Sequence, residues 1–339
     1  MKLWFERGAW ASAKGRRLIE STDPRNVKKI AVVRHAALGD MVLIRPFLVE
    51  CRRFFPSAEL TLSIVSNYSY GLPTDLIDSV HILHGSDQPG VSFRARIARA
   101  KELGPVDILF DLADTTRSRY LCLLADAKIK VGFPYAWYLR NLLFHAAVPR
   151  TDFSFEAINM LDTLMLFGAS PKIPPQFGWG SLRRSNDSLP KSPYIVYFPF
   201  ASVNSKCWDT ENYLRSISRL AQMHPSYEHI ILGGVGKNEA LQPFEAALAE
   251  FKNIRFQRPL ELDETLRLLS HARLVISNDT GIRNLAISLD VPSIGIFFAT
   301  VPYRYWPRYG KHRALFNADG SPPSVEDLVE ATVLSLAES

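Results

Sequence analysis

Short runs of consecutive apolar residues alternate along this chain with segments whose apolar positions recur every three or four residues. The runs Lys29–Arg34, Leu60–Val65, Val80–Leu83, Val106–Leu112 and Lys130–Phe133 predict strands. Such continuous apolar runs suit strands covered on both faces. Ile44, Phe47, Leu48, Cys51 and Phe55 share one helical face. Pro46 inside that pattern predicts a kink, or a helix proper that starts near it. Further helices are expected over 94–103, 120–125 and 152–168. A second series follows, with strands at Tyr194–Phe198, His229–Leu232, Asn253–Phe256, Leu274–Ser277 and Ser293–Phe298. Its helices fall near 210–223, 240–251, 262–270, 282–289 and 324–337. Strand and helix in alternation predict parallel sheets with helices on both faces.

The two series imply two domains, as does the length of 339 residues. Between them, Ser170–Pro193 carries five prolines and reads as a linker. The expected organisation is a preface at 1–28, a first domain at 29–169, the linker at 170–193, a second domain at 194–322 and a terminal helix at 323–339. No repeat at short period is visible. Two parallel-sheet domains joined in this way predict a cleft between the carboxyl ends of their strands.

Charge changes the picture only at the start. The net charge is +6, and residues 1–29 hold eight basic and three acidic groups, leaving +1 for the rest. A nearly neutral body argues against nucleic-acid binding. The preface mixes its cations with Leu3, Trp4, Phe5, Trp10, Leu18 and Ile19. That mixture suits an anionic membrane surface and equally a helix docked on the domain. Three scattered cysteines (Cys51, Cys122, Cys207) suit a reducing cytoplasm. No signal peptide and no membrane-spanning apolar run is evident.

Candidate chemistry lies where strands meet helices. Asn278-Asp279-Thr280-Gly281 joins a strand to a helix, and free backbone N–H groups with the helix dipole favour an anion there. In open α/β sheets ligands collect at such ends. Helix capping by Asp279 or Thr280 is the plainer alternative. The loop His35–Asp40 repeats the arrangement, with Gly39 permitting close approach of a ligand and Asp40 either a cap or a functional carboxylate. Lys206, on the loop Phe198–Trp208 with Ser202, suits phosphate binding. Gly233-Gly234-Val235-Gly236 is a weak nucleotide signal that lacks the rest of the dinucleotide fingerprint. There is no Walker lysine, no Asp-X-Asp pair, and no ligand-like histidine spacing. Fixed positive charge in place of a metal is the expectation.

Together these stretches resemble the heptosyltransferases of glycosyltransferase family nine. The resemblance rests on Ile30–Pro56, Asp107–Ser118, Val131–Phe133, Phe198–Trp208, Gly233–Glu239 and Ser277–Phe298. It implies a GT-B fold, two Rossmann-like domains with parallel sheets facing a central cleft. It implies inverting sugar transfer, typically from ADP-heptose, onto a lipopolysaccharide core, so a nucleotide-sugar co-substrate and no cofactor. Asp40 matches the family's catalytic base, and Lys206 its donor-phosphate lysine. Asp279, Thr280 and Gly281 match its donor-binding turn, and Glu239 its ribose contact. Ser202, Gly234, Arg283 and Asn284 join them on the donor side. Arg34, Gly39 and Arg117 fall on the acceptor side. The family usually has His where Asn284 stands, and Ile282-Arg283 replaces its Pro-Met or similar pair. Asn cannot become cationic, so a charge held there would fall to Arg283.

The implied chemistry is coherent. A carboxylate at Asp40 takes the acceptor proton. Lys206 and the helix start at Thr280-Gly281 meet the charge on the departing diphosphate. Closure of the domains excludes water. Two other functions suit the same fold, a nucleotide-sugar epimerase or hydrolase and a non-catalytic donor-binding relative. The expected location is the cytoplasm, at the inner face of its membrane if the preface binds lipid. The partners are then the donor, a glycan or glycolipid acceptor and an anionic membrane surface.

Overall fold

The computed structural model describes residues 10–133, 140–179, 190, 192–236 and 239–338. Residues 1–9 of the preface, 180–189 and 191 of the linker, and Lys237 and Asn238 of the glycine loop lie outside that set. The chain divides into two compact units, one ending at Gly178 and one starting at Trp179.

The first unit runs β1 (Trp10–Ala11), α1 (Ala13–Glu20), β2 (Lys29–Val33), α2 (Leu38–Val42), α3 (Arg45–Phe54), β3 (Glu59–Val65), β4 (Ser79–Leu83), α4 (Phe93–Lys101), β5 (Val106–Asp111), α5 (Thr116–Leu124), β6 (Ala127–Gly132), α6 (Arg140–Leu143), β7 (Ala146–Ala147) and α7 (Glu156–Met165). Its sheet has the order β1-β7-β6-β5-β2-β3-β4. All pairs are parallel except β1 with β7. The apolar run of β2 places Ile30, Ala31, Val32 and Val33 at zero exposure, as a central strand covered on both faces requires. The sheet order turns between β2 and β5, so the loops leaving these two strands open at the point where such folds hold ligands.

The second unit runs β8 (Tyr194–Phe198), α8 (Thr210–Met223), β9 (Glu228–Leu232), α9 (Gln242–Ala247), β10 (Ile254–Gln257), α10 (Leu262–Ser270), β11 (Leu274–Asn278), α11 (Gly281–Ser288), β12 (Ser293–Ile296), β13 (His312–Leu315) and α12 (Val325–Ala337). Its all-parallel order is β10-β9-β8-β11-β12-β13. That is the third–second–first–fourth–fifth–sixth order of a dinucleotide-binding fold, with its switch point between β8 and β11. Asp209 caps α8 through Glu211 N, and Ser324 with Asp327 forms a capping box on α12.

Several boundaries differ from expectation for local reasons. Pro46 starts α3 rather than kinking a longer helix, so the segment splits into α2 and α3. Asp40 lies in the first turn of α2, whose N-cap is Ala37, so the capping role expected for a lone Asp is not its role. α5 starts at Thr116, earlier than the apolar pattern indicated, because Thr115 and Ser118 cap each other. α9 ends at Ala247, short of the expected Phe251. The preface is docked from Trp10 onward. Trp10–Ala11 pairs with Ala146–Ala147, the first turn of α1 is capped by Ser12, and Gly15 approaches His145 too closely for any Cβ. The first part of the expected linker also belongs to the first unit. Arg45 donates to Phe177 O at 2.8 Å and pairs with Asp75, and Glu50 accepts from Lys172 N at 3.2 Å.

Candidate active site

In the first unit the sheet edge at the ends of β2 and β5 is organised by charge. Arg34 leaves β2 almost fully buried, at 3% exposure. One terminal nitrogen donates to Leu112 O at 2.6 Å and to Glu156 Oε1 at 3.0 Å. The other lies 3.5 Å from Asp40 Oδ1. Glu156 on α7 is itself fully buried and also takes Arg150 at 2.5 Å. Arg150 faces Asp114, as does Arg119. Three carboxylates and three guanidiniums alternate, so a buried charge such as Glu156 is never left alone. Asp40 ends this chain with 37% of its side chain exposed. It is a fixed carboxylate that stays reachable, which is what a proton acceptor needs.

The neighbouring loop is held by Asp111, the last residue of β5. It accepts from Ala113 N, Asp114 N and Ser118 Oγ. Burial pushes its carboxyl pKa up against those hydrogen bonds. Asp114 adopts φ of 52°, a left-handed position that Asp tolerates. The turn sets Arg117 exposed at the start of α5. Gly39 sits in the first turn of α2, one residue before Asp40. His35, which sequence reasoning left without a role, is buried beside them. Its Nδ1 meets Thr115 Oγ1 at 3.0 Å, and among the described residues its Nε2 has no partner. Burial, with Arg117, His81 and Arg34 nearby, lowers its pKa to about 3. It is therefore a neutral imidazole at physiological pH and cannot serve as a cationic acid there.

In the second unit the loop after β8 and the turn after β11 come together. Asn278 ties them. Its Oδ1 accepts from Trp208 N and Tyr213 OH, and its Nδ2 donates to Phe200 O. Lys206 Nζ thereby lies 2.8 Å from Asp279 Oδ2, which also accepts from Thr300 Oγ1 at 2.8 Å. Thr300 gave no signal in the sequence, because it reaches the site from beyond β12. Thr280 is the N-cap of α11, yet its side chain makes no cap bond, and its buried Oγ1 has no partner among the described residues. Gly281 opens the helix. Trp208 is buried and donates to Pro323 O, so it anchors the loop. Ser202 is exposed on that loop.

Arg283, one turn into α11, is fully buried. Its guanidinium lies over Phe297 at 4.9 Å and donates to Tyr305 O. Nε and the second terminal nitrogen have no partner among the described residues. Burial lowers its pKa to about 10, opposed by Asp279, so it remains a cation at neutral pH. A Cβ at Gly295 would fall 2.2 Å from Arg283 Nε, so that glycine makes room for it. Asn284 is buried beside Arg283 on the same helix. Gly234 and Glu239 form a separate small loop. Glu239 Oε2 accepts from Gly236 N at 2.9 Å, and Gly234 N donates to Glu239 O. Among the described residues no hydrogen bond or ion pair joins that loop to Lys206 or Asp279. The arrangement around Lys206, Thr280 and Arg283 can receive an anion at the sheet's switch point.

The family model for glycosyltransferase family 9 (heptosyltransferase) matches residues 96–329. The chain belongs to this family. It is an enzyme of the glycosyltransferase class, and its two Rossmann-like units are those of a GT-B fold. The matched span includes Arg117, Lys206, Glu239 and Asp279 to Asn284, and begins after Asp40. Two curated relatives are similar along most of their length. Lipopolysaccharide heptosyltransferase 3 of Escherichia coli (strain K12) is 22% identical, over 79% of this chain and 82% of the relative. Lipopolysaccharide core heptosyltransferase OpsX of Haemophilus influenzae is 24% identical, over 83% of this chain and 82% of the relative. Among solved structures, E. coli heptosyltransferase WaaC with ADP-2-deoxy-2-fluoro heptose superposes with a TM-score of 0.71 at 17% identity. That match covers 91% of this chain and 99% of WaaC. Family membership favours glycosyl transfer over the epimerase and hydrolase alternatives. Among the described residues no helix is long and apolar enough to cross a membrane.

Proposed function

We propose that this heptosyltransferase-family enzyme moves a heptosyl group from ADP-heptose to a lipopolysaccharide core acceptor, with inversion and without a metal. Asp40 is the base. The observation that carries this is its carboxylate, fixed by the buried Arg34 and still open to solvent. The acceptor hydroxyl gives its proton to Asp40 as its oxygen bonds to the anomeric carbon. The bond from that carbon to the diphosphate breaks on the opposite face, and ADP leaves with its charge. Lys206, Arg283 and the N-terminal end of α11 meet that charge. Glu239 faces the donor's ribose, and Arg117 and Arg34 serve the acceptor side.

The donor assignment is supported by the ADP-sugar analogue named with WaaC, and the acceptor by the names of the two curated relatives. A lipid-linked acceptor places the enzyme at the inner face of the cytoplasmic membrane. The test is a calorimetric screen of nucleotide sugars, followed by product analysis with core oligosaccharide. ADP-heptose should bind best and give an inverted heptoside. Binding of a different nucleotide sugar alone, or consumption of donor without acceptor, would overturn the proposal.

A further inference from the structure

Two helices of the first unit leave a groove that adjoins the acceptor side at Arg117. α4 and α5 pack against each other, and between them lies a cavity of about 480 Å³. That falls within the roughly 300–1,000 Å³ of small-molecule pockets. Its walls are mainly apolar, with Ile97, Leu121 and Leu124 and the rings of Phe93 and Tyr120. Phe93 is 67% exposed, Tyr120 56% and the adjoining Leu123 49%. Large apolar side chains left exposed side by side along a groove suit an interaction surface.

Charge says what covers it. α4 and α5 carry Arg94, Arg96, Arg99, Lys101, Arg117 and Arg119, and neither helix contains an acidic residue. Arg99 and Arg119 are paired with Glu102 and Asp114. Arg94, Arg96, Lys101 and Arg117 have no carboxylate partner among the described residues. Of these four, Arg96 and Arg117 line the cavity, and an apolar slot with such cations in its wall matches an amphiphile with an anionic head and a hydrocarbon tail. The preface is a poorer candidate, because from Trp10 onward it is built into the sheet and turns Ile19 inward.

We infer that the α4–α5 groove holds an acyl chain of an anionic phospholipid and seats the enzyme on the bilayer. The lipid phosphate meets Arg96 in the groove wall, and Phe93, Tyr120 and Leu124 enclose the chain. The inference rests on the proposed function only in taking the acceptor to be membrane-linked. Its binding test is independent of turnover.

Sedimentation with vesicles of phosphatidylglycerol and phosphatidylcholine tests it, with pure phosphatidylcholine vesicles for comparison. The wild-type protein should pellet with the anionic vesicles, less so at high salt. Phe93→Glu combined with Leu124→Glu should weaken that binding at least about tenfold, since a large apolar side chain kept in water forfeits more than one decade of affinity. ADP-heptose affinity should be unchanged in the variant. Undiminished vesicle binding by the variant, or equal binding to neutral vesicles, would overturn the inference. So would intact vesicle binding with lost turnover of an acylated acceptor, which would assign the groove to the acceptor's own lipid. A wild-type protein that seats on vesicles but binds no ADP-heptose would sink the proposed donor and leave the groove assignment standing.

Discussion

Arg34 reaches Asp40 across 3.5 Å while its other terminal nitrogen holds the fully buried Glu156 at 3.0 Å. One guanidinium therefore links the candidate base to the interior of the first unit. Arg34→Met should cost about 3–5 kcal/mol of stability, because it strips a buried carboxylate of one partner. The check is a urea titration. A loss below about 1 kcal/mol, the scale of a surface ion pair, would show that the network is ornamental to the fold.

Lys206 and Asp279 pair at 2.8 Å. A diphosphate would draw Lys206 to itself, with Asp279 and Thr300 fixing where it starts. Lys206→Ala should weaken ADP-heptose binding roughly ten- to a hundredfold, the value of a charge-assisted hydrogen bond. Asp279→Ala should weaken it less. Added EDTA should leave turnover unchanged. Loss of activity with EDTA and its recovery with magnesium would contradict the metal-free mechanism.

The strands were legible because both sheets are central and parallel, so their apolar runs are nearly unbroken. The switch-point loops were legible too, since Asp40, Lys206 and Asp279 each follow such a run directly. What escaped was everything joined across long sequence distances. Glu156 meets Arg34 from 122 residues away. Trp10–Ala11 is a two-residue strand whose partner, Ala146–Ala147, is as short. No periodicity can be read from elements of that length. Thr300 and His35 were missed because their roles depend on burial and on neighbours from other strands.

Arg283 is a buried cation supported by Phe297 and by Tyr305 O, with two nitrogens that have no hydrogen bond among the described residues. If those nitrogens await the donor, Arg283→Met should leave stability unchanged or raise it by about 1 kcal/mol, since a buried charge with no carboxylate in ion-pair contact among the described residues is replaced by hydrocarbon. Donor affinity should fall in the same protein. Thermal melts and calorimetry on one preparation decide it. Lower stability with unaltered donor binding would make Arg283 a structural residue.

Buried histidines contribute to the acid limit, and burial lowers His81 in the same direction as the three largest shifts. Burial holds His35 and His312 at pKa values of about 3 and His229 at about 4. In the unfolded chain each would titrate near 6.5. The unfolded state then binds more protons below that value, so stability is full above about pH 6.5 and falls as pH drops toward 4. Melting temperature measured from pH 7.5 to 4.5 should decline, and His35→Gln should flatten the slope. A melting temperature constant through that window would contradict the burial of these rings as neutral groups.

Asp40 carries the central claim, and Asp40→Asn isolates it. The amide keeps the shape of the side chain and removes its capacity to take a proton, together with the charge that faces Arg34. Single-turnover transfer from ADP-heptose to core acceptor should fall by about 10²–10⁴-fold, the span of general-base catalysis. The donor dissociation constant, measured in parallel, should stay within about twofold of wild type. Transfer at the wild-type rate by Asp40→Asn, with donor binding intact, would contradict the account.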